Sequence, residues 1–286
     1  MTSRLVSFSL FAFAVAGCSG ATATTDGGTD AGQEPPAEVA VSGTVTMHPD
    51  SLGLLADAGA STSVAGLTLR VEEPFKVALN NPDGIFHTQT LDATGAFSAP
   101  AVPTDLVTLG IAAGVRDDTG ANRVVRSATT LYDVALMDGA KPAGDITGGK
   151  GYAVPVQLHE ALTAAIGEST IRSLTGSTDA GTLITAGFLL GKVVDASGNP
   201  VSGVTVEPLG SSATSRRARL FYPTADLAST GAATSSTGLF VYVHNGGDVD
   251  TFQFRITGKS EYKQRNAGAA KDACLVLSVF PGTTPP

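Results

Sequence analysis

The side chains able to do chemistry in this 286-residue chain are few and scattered. Four histidines stand at 48, 87, 159 and 244, and no two have the spacing that puts a pair of imidazoles on one metal. His159-Glu160 opens like the zinc-protease signature H-E-x-x-H, but position 163 is threonine, so the second imidazole is missing. There is no G-x-S-x-G nucleophile elbow, no phosphate-binding G-x-x-x-x-G-K-[ST] and no dinucleotide-binding G-x-G-x-x-G. Each histidine therefore reads as a solvated loop or strand-face residue. Asp248 and Asp250 put two alternate carboxylates after Gly246-Gly247, an arrangement from which a Ca²⁺ loop can be built. Calcium takes about six to eight oxygens, so a solvated turn is preferred for this pair and for Asp117-Asp118. Arg216-Arg217-Ala218-Arg219 is the one basic cluster. Lipid-binding clusters usually hold roughly four to eight cations, so a solvated loop is favoured over contact with anionic lipid or polysaccharide. These residues point to no catalytic residue, no cofactor and no metal ligand, and so to a protein that is not an enzyme.

Composition says what carries them. Gly and Pro number 34 and 15, and only 15% of residues are charged, which favours short strands and turns over long helices. Eighteen Lys and Arg spread over a chain of net charge −8 exclude nucleic acid as a partner. Two cysteines are too few for a disulfide scaffold or a multi-cysteine zinc module. Val41–Val45 and Leu67–Val71 alternate as half-buried strands do, and so do Leu190–Val194 and Val204–Val206. Between the latter two, Asp195–Pro200 (DASGNP) has the residue types of a tight turn. The halves also repeat. V-S-G-T-V (41–45), V-A-G-L-T-L (64–69) and D-A-T-G-A-F-S (92–98) recur in order as L-L-G-K-V (189–193), V-S-G-V-T-V (201–206) and S-S-T-G-L-F-V (235–241). Between them Val156–Leu174 is the one helical stretch, with Leu158, Ala161, Leu162, Ala165 and Ile166 on a small apolar face suited to packing. Cys274 falls in a last apolar strand and reads as core. With no tryptophan, a sugar-binding face would draw on Tyr222, Tyr242 and Tyr262, although Tyr242 alternates with Phe240 in the manner of core residues.

At the N-terminus, a short positive start precedes the apolar run Leu5–Val15, too short to span a membrane and fit for a signal-peptide core. It ends in Val15-Ala16-Gly17-Cys18, which resembles the lipobox of bacterial lipoproteins. The resemblance implies that residues 1–18 are a lipoprotein signal peptide and that Cys18 is the acylated first residue of the mature chain, its link to the membrane. Ser19 rather than Asp follows, which by the same resemblance points to the outer membrane. Residues 19–38 hold no Val, Ile, Leu or aromatic side chain and read as a disordered polar tether.

The run G-K-V-V-D-A-S-G-N-P-V-S-G-V-T-V (191–206), followed by S-T-G-L-F (236–240), resembles the carboxypeptidase regulatory-like domain, a small transthyretin-like β-sandwich. That resemblance covers roughly 183–280 and, less closely, 39–115; it implies sandwiches without a catalytic site of their own. The expectation is an all-β chain of two tandem Ig/transthyretin-like antiparallel β-sandwiches, 39–150 and 183–286, joined by a short helical segment at 151–182. The expected function is a non-enzymatic cell-envelope lipoprotein docking another envelope component, protein or polysaccharide. The alternative is a surface carbohydrate-binding or adhesion module.

Overall fold

The computed structural model describes residues 36–286. The expected signal peptide 1–18, the expected acylation site Cys18 and the expected tether up to residue 35 lie outside the described residues. The first half runs β1 (Glu38–Met47), α1 (Leu52–Asp57), β2 (Thr68–Glu72), α2 (Pro74–Ala78), β3 (Ile85–Thr90), β4 (Ala96–Pro103), β5 (Gly110–Arg116), β6 (Val124–Val125), β7 (Ser127–Asp133) and β8 (Ile146–Pro155). Then come α3 (Val156–Ile166), α4 (Glu168–Thr175) and α5 (Leu183–Ala186). The second half runs β9 (Phe188–Val193), β10 (Val206–Pro208), α6 (Ala213–Arg217), β11 (Leu220–Pro223), β12 (Thr230–Gly231), β13 (Leu239–Val243), β14 (Val249–Ile256), β15 (Arg265–Ala270) and β16 (Cys274–Val279).

The strands form where apolar and polar residues alternate. In β14, Asp250, Phe252, Phe254 and Ile256 point inward while Thr251, Gln253 and Arg255 face out. Three sheets result: β4-β1-β8-β6, β10-β14-β15, and a nine-stranded sheet in the order β12-β11-β13-β9-β16-β7-β5-β2-β3. In the first half, Val41, Val45 and Phe97 pack on Leu69, Val71 and Ile111 of the large sheet. In the second, Phe252, Phe254 and Ile256 pack on Leu189, Phe240 and Tyr242. The opposite face of β9, β13 and β16 is covered by the helices, with Leu158, Leu162 and Ile171 against Phe188, Val241 and Cys274. The helical segment is thus core, as its small apolar face suggests, and Cys274 is fully buried. Burial pushes its thiol well above the ordinary range, so it is inert at neutral pH.

The sandwich expectation holds, and the internal repeat is real at the level of strand pairing. β1 pairs antiparallel with β4 and parallel with β8; β9 pairs antiparallel with β13 and parallel with β16. The two Thr-Gly turns match as well: Val45 N–H donates to Gly95 O at 2.8 Å and Val193 N–H to Gly238 O at 2.9 Å. Both glycines have φ near +70° (68° and 71°), and a Cβ would lie 2.0 Å from Val45 O or 2.4 Å from Val193 O. Alanine at either position must strain the turn and displace backbone. We expect Gly95→Ala and Gly238→Ala each to cost about 2–3 kcal/mol in urea unfolding. Gly53→Ala, in α1 with open space around its Cβ, is the control and is expected to stabilise by about 0.5–1 kcal/mol.

One feature departs from two tandem sandwiches linked by a helix. The nine-stranded sheet contains strands of both halves because β16 pairs parallel with β9 on one side and with β7 on the other. The edge that β7 would expose alone is covered by the second copy, so the halves share a sheet.

Candidate binding cleft

β7 and β16 stay paired only from Ser127 to Thr129 and from Cys274 to Val276, after which the sheet forks. The gap opens into a cleft of about 680 Å³, within the range of small-molecule sites. Its walls come from β7 and the end of β16, from the exposed start of β8, and from residues 283–286. Across the open end of the fork, between the tips of β7 and β16, lies a buried ion pair. Arg265 Nε donates to Asp133 Oδ2 at 2.8 Å, with the side chains 4% and 1% exposed. Arg265 also donates to Ser278 O at 3.0 Å, and Asn266 N–H donates to Asp133 Oδ2 at 3.1 Å. Burial pulls the Arg265 guanidinium below its ordinary pKa, and Asp133 pulls it back.

A second polar group sits where β9 meets the short turn Pro49–Ser51. Lys192 Nζ donates to Asp50 Oδ2 at 2.7 Å, joining the halves again. His48 lies beside them, 2% exposed, its Nδ1 3.6 Å from Asp50 Oδ2 and without a hydrogen bond. Its ring meets Tyr152 edge-on at 5.5 Å between centroids. Desolvation lowers the His48 pKa to about 4 despite the nearby Asp50 carboxylate, so the imidazole is neutral at pH 7. The cleft therefore offers an uncharged imidazole, the Tyr132 and Tyr152 rings, and ammonium groups on Lys150 and Lys192. This suits a polar ligand with hydroxyl or carbonyl groups.

Most sequence-selected residues lie elsewhere. Of the four histidines, His48, His159 and His244 are buried rather than solvated, and only His87, on β3, fits the expectation. His159 Nε2 accepts from Ile184 N–H at 3.2 Å, and His244 Nδ1 lies 3.1 Å from Ala186 O, so both brace helix–sheet packing. The solvated reading of Asp250 is likewise corrected. Its carboxylate is buried and takes Arg216 (Nη2–Oδ1 2.7 Å) and the Tyr242 hydroxyl, leaving little for a cation. Burial pushes Asp250 up, but those two donors more than offset it and hold its pKa below the usual range. Among the described residues no three His, Cys, Asp or Glu side chains gather as a metal site. The basic cluster divides: Arg217 is solvated as expected, its side chain 63% exposed, whereas Arg216 and Arg219 are held against the protein. Arg216 lies over the Phe252 ring at 5.1 Å, Arg217 faces Glu207 at 3.8 Å, and Arg219 donates to His244 O at 3.1 Å. Arg216 and Arg219 thus hold α6 and the start of β11 to their neighbours. Asp117, expected as solvated, is enclosed by its own turn. Burial pushes it up, yet hydrogen bonds from Thr119 and Arg123 hold it at about 2.

The three tyrosines proposed for sugar binding are all buried: Tyr222 is 8% exposed, Tyr262 6% and Tyr242 0%. The Tyr222 hydroxyl accepts from Val206 N–H at 2.9 Å, and the Tyr262 hydroxyl donates to Val194 O at 3.0 Å. The sequence marked His48 only as a solvated residue and did not mark Asp50, Lys192, Asp133 or Arg265. One signal was available: Lys192 occupies the repeat position held by Thr44 in the first copy.

No family model matches the chain, and no curated protein matches it. Among solved structures, the shaft pilin SpaA from Lactobacillus rhamnosus GG is similar at 12% identity over 87% of this chain and 100% of that one, with a TM-score of 0.23. A streptococcal ancillary pilin is similar at 8% identity over 87% of this chain and 70% of that one, TM-score 0.24. The Bacillus anthracis TIE protein is similar at 10% identity over 86% of this chain and 34% of that one, TM-score 0.22. The fold assignment rests on the strand pairing described above and not on these likenesses. Among the described residues no helix is long and apolar enough to cross a membrane.

Proposed function

We propose that the chain is a non-enzymatic docking module of the bacterial cell envelope, held at the outer membrane by an acylated Cys18 and presenting a rigid sheet edge to another envelope protein. The observation that carries this reading is the edge of the nine-stranded sheet at β3. This strand pairs with β2 on one side only, and its residues are exposed or half-buried. An uncovered edge on a fixed frame is the ordinary means of accepting a strand from a partner. Crosslinking and pull-down of the full-length protein from its native envelope tests the reading: one stoichiometric protein partner is expected, and none would overturn it.

The anchor has its own test. Cys18→Ser is expected to abolish acyl-chain labelling and to move the protein from the detergent phase to the aqueous phase. Unchanged partitioning would refute the lipoprotein assignment. A second reading, saccharide binding, is favoured by the cleft with Tyr132, Tyr152 and neutral His48 on its walls. Saturable signals on a glycan array, lost in Tyr152→Ala, would support it.

A further inference from the structure

Every arginine among the described residues but two has a carboxylate within 4 Å or donates a hydrogen bond to a carbonyl. The exceptions are Arg70 and Arg126, and the fold brings them to one place. Leu69 and Val71 of β2 and Val115 of β5 are core, so strand alternation turns Arg70 and Arg116 to the outer face of the large sheet. Ser127 donates inward to Tyr152 O, which turns Arg126, just before β7, outward as well. Thr68 pairs with Arg116 and Val115 with Ser127, so Arg116 lies between the other two. The strands β2, β5 and β7 are neighbours, and at about 4.8 Å between strands the cluster spans roughly 10 Å. Arg126 is exposed, and Arg70 and Arg116 are half-buried. The patch is cationic on a chain whose net charge is −8.

The second observation is an orphaned donor: among the described residues Arg70 Nε is buried and has no hydrogen-bond partner. Buried polar groups are nearly always paired, and an exception calls for an explanation. Burial lowers the Arg70 pKa, and the charges of Arg116 and Arg126 lower it further, against Glu72 and Asp118. The three cations therefore repel one another. Asp118 engages only Arg116, at 2.9 Å from its Nε, and is itself 53% exposed. Glu72 lays its carboxylate over Gly114 and attracts all three arginines, but no ion pair joins it to any of them. On the same face Thr88 stands opposite Arg70 and Thr90 opposite Thr68, both exposed. Guanidinium N–H groups with hydroxyls beside them fit an oxyanion. A guanidinium fork takes phosphate or sulfate bidentately, and a dianion answers three cations better than one carboxylate does.

We infer that this face binds the phosphate or sulfate group of an anionic ligand between the Arg70 and Arg126 guanidinium groups, with Arg116 beside them. The inference does not rest on the docking reading. The test titrates the full-length protein in uncharged detergent micelles with sodium sulfate, against sodium chloride at the same ionic strength. Amide and arginine Nε–H signals are followed by NMR. Saturable shifts at Gly114 and at Arg70 Nε–H are expected for sulfate alone. Affinity is expected to fall at least about tenfold in Arg70→Gln and in Arg126→Gln. It should stay unchanged in Arg255→Gln, which removes a cation paired with Glu207 on the β10-β14-β15 sheet. Glu72→Gln, which takes away the carboxylate that attracts the three arginines, is expected to tighten sulfate at pH 8. Dihexanoyl phosphatidic acid separates the sources of the group. Affinity at least about tenfold above that of sulfate, lost in Arg70→Gln, assigns it to a lipid headgroup; an affinity nearer that of sulfate assigns it to a soluble ester. Shifts that do not saturate, an equal response to chloride, an equal loss in Arg255→Gln, or weaker sulfate binding in Glu72→Gln would each overturn the inference.

Discussion

Asp133→Ala is expected to destabilise the protein by about 3–5 kcal/mol, the usual result of stripping one partner from a buried ion pair. The guanidinium of Arg265 stays behind, 4% exposed, with Ser278 O as its remaining acceptor and the Phe280 ring 5.0 Å away. Asn266 N–H loses its acceptor as well. The loss should appear as a fall of about 6–20 °C in the thermal midpoint at roughly 2–4 °C per kcal/mol, and as a lower urea midpoint at unchanged slope. What is measured is the penalty of an orphaned charge, not the net worth of the pair. Asp133→Leu combined with Arg265→Met should therefore recover most of the loss. If Asp133→Ala shifts stability by less than about 1 kcal/mol, the pair is not buried as described. Because Asp133 ends a strand of the first copy and Arg265 begins one of the second, both halves should melt together in the variant.

Acid is expected to weaken the fold through His48. Its pKa is about 4 in the folded protein against 6.5 for the free side chain. Below pH 6.5 the unfolded chain takes up a proton that the folded chain refuses, so stability present above pH 6.5 is lost as the pH falls towards 4. Complete passage through that window costs about 3 kcal/mol. Glu72 works the other way. Its folded pKa of about 7 exceeds the free value of 4.5, so its contribution is greatest below pH 4.5 and declines as the pH rises to 7. The two slopes oppose each other at mildly acidic pH, and the raw profile of the wild type will look flat there. Subtracting the profile of His48→Gln isolates the histidine. The difference should grow steadily from pH 6.5 down to 4, and a difference that does not vary with pH would refute the burial of a neutral imidazole.

Local signals carried much of the fold. Asp195–Pro200 folds as its residue types dictate: Asp195 Oδ1 accepts from Ser197 and Asn199 N–H, and Gly198 takes φ +82°. The paired Thr-Gly turns located equivalent strands in both copies. The fork was not legible, because nothing near Ser127 or Cys274 records which strand will pair with which; parallel pairing is settled by packing across the whole molecule. The same holds for the charges. A run of three arginines reads as a solvated patch until the fold places Asp250 opposite Arg216 and a carbonyl opposite Arg219, leaving only Arg217 in solvent. Tyr222 and Tyr262 could not be assigned to the core from spacing alone, since their hydroxyls find partners 16 and 68 positions away.

The pairing of β7 with β16 sets a timetable for folding. Ser127 and Cys274 meet across 147 positions of chain. A chain emerging from its N-terminus completes β7 long before its neighbour exists, and a topology dominated by such distant pairings folds in roughly milliseconds to seconds rather than microseconds. Throughout that interval an almost finished first copy carries an open strand that any other copy's β16 can occupy. Exchange of the last strand between molecules is then the characteristic misfolding route, and refolding yield should fall as protein concentration rises.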